Sequence, residues 1–373
     1  MILIKATQQQ NNCKTQNIAR MKQILRGLKL AVLLIAILAC QNKSDKTTEN
    51  EYPIHIDSLC IHDPCILADS VTGLYYAYGN YSPKKKWHYV KFPFNRGGVQ
   101  AYMSKDLQNW SLPRQVFTVP DNFWADSLDA PWAPEVHFYN NKYYLFVTFN
   151  KWDSIMDSRP NRPKITWRAS QILVADSPLG PFEPFHNKPT TIDGEMTLDA
   201  TFYVEDGQPY IVYCHEWVQI GPGEMKAAKL SPDLSETIEA PFTLFSASDV
   251  SWNKDSVNYR GTRYYGSVTD GCYFYKTKNG TLLMLWSSWH KTRQYAQAIA
   301  YSESGSIKGP WKHLEEPILM DDRGHGMVFK GFDDKLYLSL HRYFHTPETR
   351  LQIWELEDTG DMLEVKKQLW GAL

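Results

Sequence analysis

The stretch "TLDATFYVEDGQPYIVYCHEW", Thr197 to Trp217, decides the fold of this chain. Two apolar strands flank a tight turn at Gly207, which is the pattern of an antiparallel β-hairpin. A lone carboxylate, Asp199, stands at the head of the first strand. A charged group ahead of so much Phe, Tyr, Ile and Val is either a strand cap or one member of a set gathered for chemistry.

The same hairpin pattern recurs five times along the chain, which indicates a repeat architecture. The copies are "GLYYAYGNYS" from Gly73, "NKYYLFVTFN" from Asn141, "GQPYIVYCHEW" from Gly207, "GTLLMLWSSW" from Gly280 and "DKLYLSLHRY" from Asp334. Each is followed by a third strand, and amphipathic patterns at helical spacing are scarce. Five copies of a three- or four-stranded unit predict an all-β fold, a five-bladed β-propeller in a single domain over residues 55–373.

Composition excludes several classes of protein. The chain has 373 residues, is 43% hydrophobic and carries a formal net charge of -1. It is therefore neither disordered nor steered to nucleic acid by its charge. It also contains 13 Trp and 22 Tyr. Sugar-binding sites commonly use these residues, because their rings offer a flat apolar face with a polar handle. A large β-sheet core is the alternative explanation.

The N-terminal segment, residues 1–40, reads as a leader. From Met21, where we place the start, "MKQILRGLKLAVLLIAILAC" has a basic beginning and an apolar run of about ten residues, whereas a membrane span needs about 20. Ala39 before Cys40 resembles a lipoprotein box, which predicts export to the periplasm or cell surface and a lipid anchor at Cys40. An ordinary secretory signal is the alternative. The polar residues 41–54 suit a tether.

Polar residues stand at the heads of the first strands of the five units. These segments read "HDPCILAD", "WAPEVHFYN", "LDATFYVED", "TDGCYFYKTKN" and "GHGMVFKGFD", and the predicted heads are Asp63, Glu135, Asp199, Asp270 and His325. The first strand of each propeller blade lines the central axis, so the heads are expected to meet at one end of the channel. The sequence therefore predicts one polar substrate pocket that includes Asp199.

Counting along the hairpins extends the set, because antiparallel partners lie equally far from their turn. The count places Glu216 beside Asp199. It places Trp289 near Asp270 and Arg342 near His325.

The motifs "HDP", "WAPEV", "LDATFY" and "GHG", in this order, resemble those of the glycoside hydrolase family 43 propellers of the arabinosidase, xylosidase and arabinanase type. The resemblance runs from about His55 to the C-terminal end. It implies an inverting hydrolase with three carboxylates that act as base, pKa modulator and general acid. By motif match, Asp63 would be the base that activates water, and Asp199 would be the modulator.

The general acid is where this sequence departs from the family. The family shows Glu-Gly in blade four, and the chain has Asp270-Gly271 after Thr269. Asp270 is favoured by its position, although its side chain is one methylene shorter. Glu216 has the right length and is the rival. A third reading is that the acid is missing and the site binds sugar without cleaving it.

The resemblance suggests further roles around the carboxylates. Trp132 and Trp289 are candidates for stacking on a sugar ring, and Arg342 for orienting Asp199. His325 matches an axial histidine that in some members contributes to a bound cation, so a structural calcium ion near His325 is expected if any metal is present. No catalytic metal or other cofactor is required. Glu135 has no role left in the three-carboxylate scheme and is interpreted as structural.

The leading hypothesis is an inverting glycosidase that acts on oligo- or polysaccharides from plants, with α-L-arabinofuranosides first and β-xylosides second. The alternatives are a catalytically inactive carbohydrate-binding surface lipoprotein and a protein-interaction propeller. We expect a monomer with no nucleic-acid partner and no membrane contact besides the lipid anchor. Two long insertions, 150–167 and 246–265, are expected to shape the sugar subsites. Cys60 and Cys65 form a local disulfide or remain free thiols, and no cysteine spacing suggests zinc.

Overall fold

The computed structural model describes residues 51–86, 89, 91, 95–259 and 261–372, and nearly all of its regular structure is β-sheet. The predicted leader and its anchor at Cys40 lie outside the described residues. Within them, no helix combines the length and apolar character needed to cross a membrane. Ile54, assigned to the tether from sequence, already pairs with Trp110, so the domain begins slightly earlier than predicted.

The chain forms five antiparallel sheets in sequence order. The first comprises β1 (Ile54–His55), β2 (Cys65–Asp69), β3 (Leu74–Tyr81), β4 (Gly98–Ser104), β5 (Asn109–Trp110) and β6 (Arg114–Thr118). The second comprises β7 (Trp132–Tyr139), β8 (Lys142–Asp157), β9 (Ile165–Ala175) and β10 (Glu183–Pro184). The third comprises β11 (Thr197–Glu205), β12 (Gln208–His215), β13 (Glu224–Lys229) and β14 (Phe242–Ser246).

A separate hairpin stands between the third and fourth sheets, made of β15 (Ser256–Tyr259) and β16 (Thr262–Tyr265). The fourth sheet comprises β17 (Asp270–Lys276), β18 (Leu282–Trp289), β19 (Tyr295–Ser302) and β20 (Trp311–His313). The fifth comprises β21 (Arg323–Lys330), β22 (Leu336–Arg342), β23 (Arg350–Asp358) and β24 (Leu363–Trp370). The short helices are α1 (Trp217–Ile220) and two 3₁₀ turns, Ile56–Ser58 and Ala247–Asp249.

The five sheets close into a ring. The innermost strands β2, β7, β11, β17 and β21 contact one another in that order, and β21 contacts β2. The N-terminal segment also joins the last blade, because the Leu351 N–H donates to the Leu59 carbonyl at 3.1 Å. The predicted five-bladed β-propeller is confirmed.

The middle strands are apolar on both faces because each blade is covered by its two neighbours. In β12, Tyr210, Val212 and Cys214 pack in a cluster with blade four. The alternate residues, Ile211 and Tyr213, pack in a cluster with blade two. Successive side chains of a strand point to opposite faces, so a strand between two blades reads as a continuous apolar run. This packing explains the continuous apolar run "YIVYC" in the β11–β12 hairpin.

One residue in the left-handed backbone region stands at a similar place in each blade, on the innermost strand in blades two to five and two residues before β2 in blade one. These residues and their φ angles are Asp63 (53°), Ala133 (43°), Asp199 (53°), Gly271 (58°) and His325 (55°). In blades two to five the strand register shifts there, which marks a β-bulge. Three of these positions carry the polar side chains that meet at the site, Asp63, Asp199 and His325.

In two of the five blades the residue at the bulge differs from the predicted head. Ala133 and Gly271 are the counterparts of Asp63, whereas Glu135 lies two residues past the bulge and Asp270 lies one residue before it. The sequence motifs select polar residues, whereas the position of a bulge depends on backbone geometry and does not require a polar residue. Asp270 therefore projects from a different backbone position than Asp63 and Asp199.

Gly271 is required at its bulge for two reasons. Its φ of +58° is one that residues with a Cβ rarely adopt, and a Cβ there would lie 2.8 Å from His325 Cγ. The imidazole of His325 therefore packs directly over this glycine, which brings the bulges of blades four and five into contact.

Candidate active site

Three histidines surround the carboxylate of Asp63. His62 Nδ1 lies 2.7 Å from Oδ2, and His325 Nδ1 lies 3.0 Å from Oδ1. His341 Nδ1 accepts the backbone N–H of Asp63 at 3.2 Å. Burial lowers the pKa of His341 to about 3, with help from His62, so His341 is neutral and fixes the Asp63 backbone.

Asp63 is ionised at neutral pH although it is buried. Burial alone would raise the pKa of its carboxyl group. The positive charges of His325 and His62 outweigh that effect and hold the pKa of Asp63 well below its usual value. A carboxylate that stays deprotonated has the charge state that a general base needs.

His325 bridges two carboxylates. Its Nδ1 is 3.0 Å from Asp63 Oδ1 and 3.7 Å from Asp199 Oδ2, and its backbone N–H donates to Ser287 Oγ at 2.7 Å. Burial opposes the charge on the ring, but the two carboxylates outweigh it and raise the pKa of His325 to about 10. A buried imidazolium therefore lies between the two acids.

Asp199 is held by backbone and side-chain bonds. Gly271 N–H donates to Asp199 Oδ2 at 3.1 Å, and the Asp199 N–H donates to Thr148 Oγ1 at 2.9 Å. Burial raises the pKa of Asp199 to about 6, His325 opposes this, and the charge of Asp63 adds to it. Asp199 is therefore not an isolated strand cap but one of a set of acids that lie together at the axis.

Asp270 lies in the same electrostatic cluster. Its Oδ2 accepts a hydrogen bond from the Tyr295 hydroxyl at 3.1 Å. Burial raises the pKa of Asp270 well above its usual value, and the charge of Asp199 raises it further. Both effects favour the protonated form of Asp270, which is the form that a general acid requires.

Glu216 occupies a different environment from the one predicted. Its carboxylate pairs with the guanidinium of Arg168, and the backbone N–H of Glu216 donates to the Met196 carbonyl at 2.8 Å. It therefore lies level with Met196 and not beside Asp199. The register next to the turn would place Glu216 opposite Thr197, two residues from Asp199, and the bulge shifts its partner by one residue more. Burial raises the pKa of Glu216, while Arg168 opposes that shift.

Arg168 connects Glu216 to the predicted stacking residue Trp132. Its guanidinium carbon lies 4.1 Å from the centre of the Trp132 ring, and its Nε donates to Asn150 Oδ1 at 2.6 Å. One face of Trp132 is therefore covered by a cation. Trp289 is half-buried and packs on Tyr295, with ring centres 5.4 Å apart.

The prediction that Arg342 orients Asp199 is wrong. The Arg342 guanidinium donates to Asp321 Oδ2 at 3.0 Å and lies over the ring of Tyr343. Its strand partner is Arg323; the register next to the turn would place it opposite Gly324, and the bulge at His325 shifts it by one residue more. His325 and Gly271 hold Asp199 instead.

Residues 53–360 match the family described as glycosyl hydrolases family 43, which is most of the chain and includes all of the propeller except its last strand. The chain belongs to this family. It is a glycoside hydrolase.

Solved structures support this placement. The crystal structure of an endo-arabinase from Bacteroides thetaiotaomicron VPI-5482 is 33% identical, with a TM-score of 0.69 over 86% of this chain and 99% of that chain. The α-L-arabinofuranosidase from Lactobacillus brevis is 16% identical, with a TM-score of 0.61 over 84% and 94% of the two chains, and this likeness concerns the fold alone.

A curated relative of this family 43 enzyme is the extracellular endo-alpha-(1->5)-L-arabinanase 1 of Bacillus subtilis (strain 168). The two are 23% identical over 271 residues, which is 67% of each chain.

Four residues at the site of this family 43 chain were missed from sequence. They are His62, Arg168, Tyr295 and His341. His62 was visible in "HDP", beside the acid that it contacts. His341 precedes Arg342 in "LSLHRY", where the hairpin count selected the wrong neighbour. Arg168 and Tyr295 reach the site from blades two and four, and no local pattern marks them.

The calcium expectation stays a prediction, and the residues around His325 do not fit it well. Ca²⁺ prefers six to eight oxygen ligands. Nδ1 of His325 faces the oxygens of Asp63 and Asp199, and that ring is protonated. Among the described residues, a group that could hold a metal ion is His62, Asp63 and His341, whose ligand atoms lie within 4.8 Å of one another. There the His341 nitrogen already accepts the Asp63 N–H, so we derive no step through a metal.

The four cysteines among the described residues are all free thiols. The disulfide alternative for Cys60 and Cys65 is therefore wrong. Cys65 is buried between blades, where its sulfur accepts the Val136 N–H at 3.4 Å. Glu135 is also buried, and Thr201 and His137 bind its carboxylate.

Proposed function

We propose that this enzyme hydrolyses α-L-arabinofuranosyl linkages in plant polysaccharides with inversion at the anomeric carbon. The single observation that supports the chemistry is that the pKa values of two carboxyl groups at the axis are shifted in opposite directions. His325 and His62 lower the pKa of Asp63, while burial and the charge of Asp199 raise the pKa of Asp270. Two carboxyl groups with separated pKa values are what acid–base hydrolysis of a glycoside needs.

Each acid then has one role. Asp63 removes a proton from a water molecule that attacks the anomeric carbon. Asp270 donates its proton to the departing glycosidic oxygen. Inversion requires these two groups on opposite sides of the sugar, about 6.5–9.5 Å apart, so that water fits between the base and the ring. Asp199 raises the pKa of Asp270 and is itself aligned by the Gly271 N–H.

Glu216 is the second candidate for the acid, because of its longer side chain. Its contact with the Arg168 guanidinium favours the ionised form, which argues for a positioning role. In that role Glu216 holds Arg168 over Trp132, and Arg168 lines the adjoining cavity.

The preference for arabinose rests on the relatives. The endo-arabinase structure is the most similar of those described, and the Bacillus protein is named for α-(1→5)-L-arabinan. β-Xylosides are the second candidate. A cavity of about 550 Å³, lined in part by Arg168, supports an oligosaccharide ligand, and residues of the extended β8–β9 hairpin and of β15–β16 form its walls. Its walls include Trp152, Tyr259 and Tyr264. The two predicted insertions supply these walls, and we propose internal cleavage of the polymer.

We also propose that the enzyme is exported and lipid-anchored at Cys40. The leader pattern supports this, as does the word "extracellular" in the name of the Bacillus relative. A surface anchor would hold a polymer-degrading enzyme where its substrate arrives.

The test is a substrate panel. Nitrophenyl α-L-arabinofuranoside, β-xyloside and β-galactoside are assayed beside linear α-(1→5)-arabinan, and proton NMR follows the anomer released first. We expect arabinan cleavage with inversion and loss of turnover, but not of binding, in Asp63→Ala. A wild-type protein that binds arabinan and cleaves none of these substrates would instead be the carbohydrate-binding lipoprotein.

A further inference from the structure

A second cavity, of about 610 Å³, lies on the other side of the β15–β16 hairpin from the proposed sugar cleft. Its walls are strongly cationic. Four basic residues line it, and Asp255 is the one acid among its lining residues; the bases are Lys254, Arg263, Lys291 and Arg293. We call this the basic cavity. A formal charge of +3 on one concave surface is unusual for an enzyme whose net charge is -1.

Among the described residues, carboxylates balance little of the positive charge of the basic cavity. Asp255 approaches Arg263 only to 4.0 Å, at the limit of an ion pair. In the part of the chain that the structure describes, Lys254, Lys291 and Arg293 form no ion pair with a carboxylate. Burial lowers the pKa of Lys254, and the charges of Arg293 and Arg263 lower it further. The cations are therefore close enough to repel one another.

The basic cavity is a built feature and not a chance meeting of loops. The Lys254 N–H donates to the Trp289 carbonyl, and the Lys291 N–H donates to the Trp252 carbonyl, each at 2.9 Å. Trp252 is itself buried in the core between blades three and four. Two loops that carry cations are thus fixed to each other through the backbone.

The β15–β16 hairpin divides its faces between the two cavities. Ser256, Asn258 and Arg263 line the basic cavity, whereas Tyr259 and Tyr264 line the proposed sugar cleft. Alternate residues of a strand point to opposite faces, so this short hairpin forms a shared wall. A polymer that lies across the hairpin can contact both cavities.

The basic cavity also adjoins the catalytic acids through a short chain of contacts. Lys254 is bonded to the backbone of Trp289, Trp289 packs on Tyr295, and Tyr295 donates to Asp270. Two aromatic side chains, those of Trp289 and Tyr295, therefore separate the Lys254 backbone from Asp270, and we assign the basic cavity to a sugar unit other than the one that is cleaved.

We propose that the basic cavity is a subsite for the carboxylate of a uronic acid residue in the polysaccharide, so that the enzyme selects arabinose-containing polymers with an acidic backbone or branch. This inference rests on the proposed function. Guanidinium groups bind carboxylates through two parallel hydrogen bonds, and Arg263 and Arg293 offer two such groups. Asn253 and Asn258 add amide groups for sugar hydroxyls. A neutral arabinan has no group that would need this charge.

The test compares one polymer in two charge states. Arabinan still attached to galacturonate-containing pectin is used as isolated and after chemical reduction of its carboxyl groups. Binding is measured by calorimetry at low and high salt for the wild type and for Lys291→Gln/Arg293→Gln, whose residues are exposed and outside the core. The matched control is Lys276→Gln/Lys335→Gln, which removes the same charge from exposed turns at the other end of the blades.

We expect the wild type to bind the acidic polymer about fivefold or more tightly than the reduced one, with the difference shrinking in high salt. The cavity variant should lose this difference and the control should keep it. Equal binding of both polymers by the wild type, or an unchanged preference in the cavity variant, overturns the proposal. Dextran sulfate, a polyanion without carboxylates, is the third ligand. If the wild type binds it as tightly as the uronate polymer, the assignment of the cavity to carboxylates is overturned.

Turnover of nitrophenyl arabinofuranoside, which is too small to reach the basic cavity, is measured on the same variants and should be unchanged. If the wild type prefers the acidic polymer but cleaves neither linear arabinan nor nitrophenyl arabinofuranoside, the subsite stands and the proposed function fails. If either substrate is cleaved and no preference for the acidic polymer exists, the function stands and the subsite fails.

Discussion

His325 and Asp63 form a buried ion pair across the closure of the propeller, with Nδ1 and Oδ1 3.0 Å apart. The two residues belong to blades five and one, the last and first blades of the ring. The pair therefore couples the closure of the fold to the charge state of the proposed base.

Replacing His325 with Asn tests this coupling. Asn tolerates the left-handed backbone that His325 adopts, but it carries no charge. His325 lowers the pKa of Asp63, so its loss should raise that pKa and leave the base protonated to higher pH. The acidic limb of the pH profile of kcat/KM should therefore move to higher pH, by about one unit or more. An unmoved acidic limb with reduced activity would mean that His325 only packs against Gly271.

Asp199→Asn tests the modulator role at the other end of the profile. The charge of Asp199 raises the pKa of Asp270. Without that charge the acid should lose its proton at lower pH, so the alkaline limb of the kcat/KM profile should move to lower pH. The measurement is the same profile on a natural arabinan. If the alkaline limb keeps its position, Asp199 does not tune the acid.

The identity of the general acid is decided by leaving-group dependence. Asp270→Asn should lower kcat on arabinan by about 10²–10⁴-fold, yet retain most activity on a nitrophenyl arabinofuranoside, because nitrophenolate leaves without a proton. Glu216→Gln should change kcat on both substrates to a similar extent, because it disturbs the position of Arg168 and not proton transfer to the leaving group. The reverse pattern in the two variants would assign the acid to Glu216.

Gly271→Ala should destabilise the fold more than a second glycine change with a similar backbone. At Gly207, where φ is +80°, an added Cβ meets no atom within 4 Å, so Gly207→Ala measures the backbone cost alone, about 1 kcal/mol. Gly271→Ala adds a clash with the His325 ring and should cost about 1–3 kcal/mol more. Urea unfolding of both variants gives the comparison, and equal values would show that His325 yields freely.

Arg168→Met should be strongly destabilising, because it leaves the carboxylate of Glu216 buried without a partner. Both side chains are more than 90% buried. Breaking such a pair costs about 3–5 kcal/mol, whereas removing both charges costs less. Unfolding free energies of Arg168→Met, Glu216→Gln and the double variant form a double-mutant cycle. A double variant as unstable as the sum of the single changes would show that the pair is not coupled.

Local sequence was enough for the architecture and for two of the acids. Tight turns such as that at Gly207, followed by apolar runs, mark each hairpin, and a hairpin is set by residues close together in the chain. Because the unit recurs, Asp63 and Asp199 could be assigned to the same position in different blades. Both residues have a left-handed backbone and both lie close to the His325 ring.

Only the tertiary structure decided which side chains complete the set. The bulge that aims each head has no signature in polarity, so Ala133 and Gly271 were overlooked, and the shifted register displaced Glu216 and Arg342 from their predicted partners. The Asp63 N–H meets His341 across 278 positions of sequence. Hairpin patterns record short-range pairing, whereas contacts between blades arise from ring closure, and ring closure depends on the packing of the whole chain.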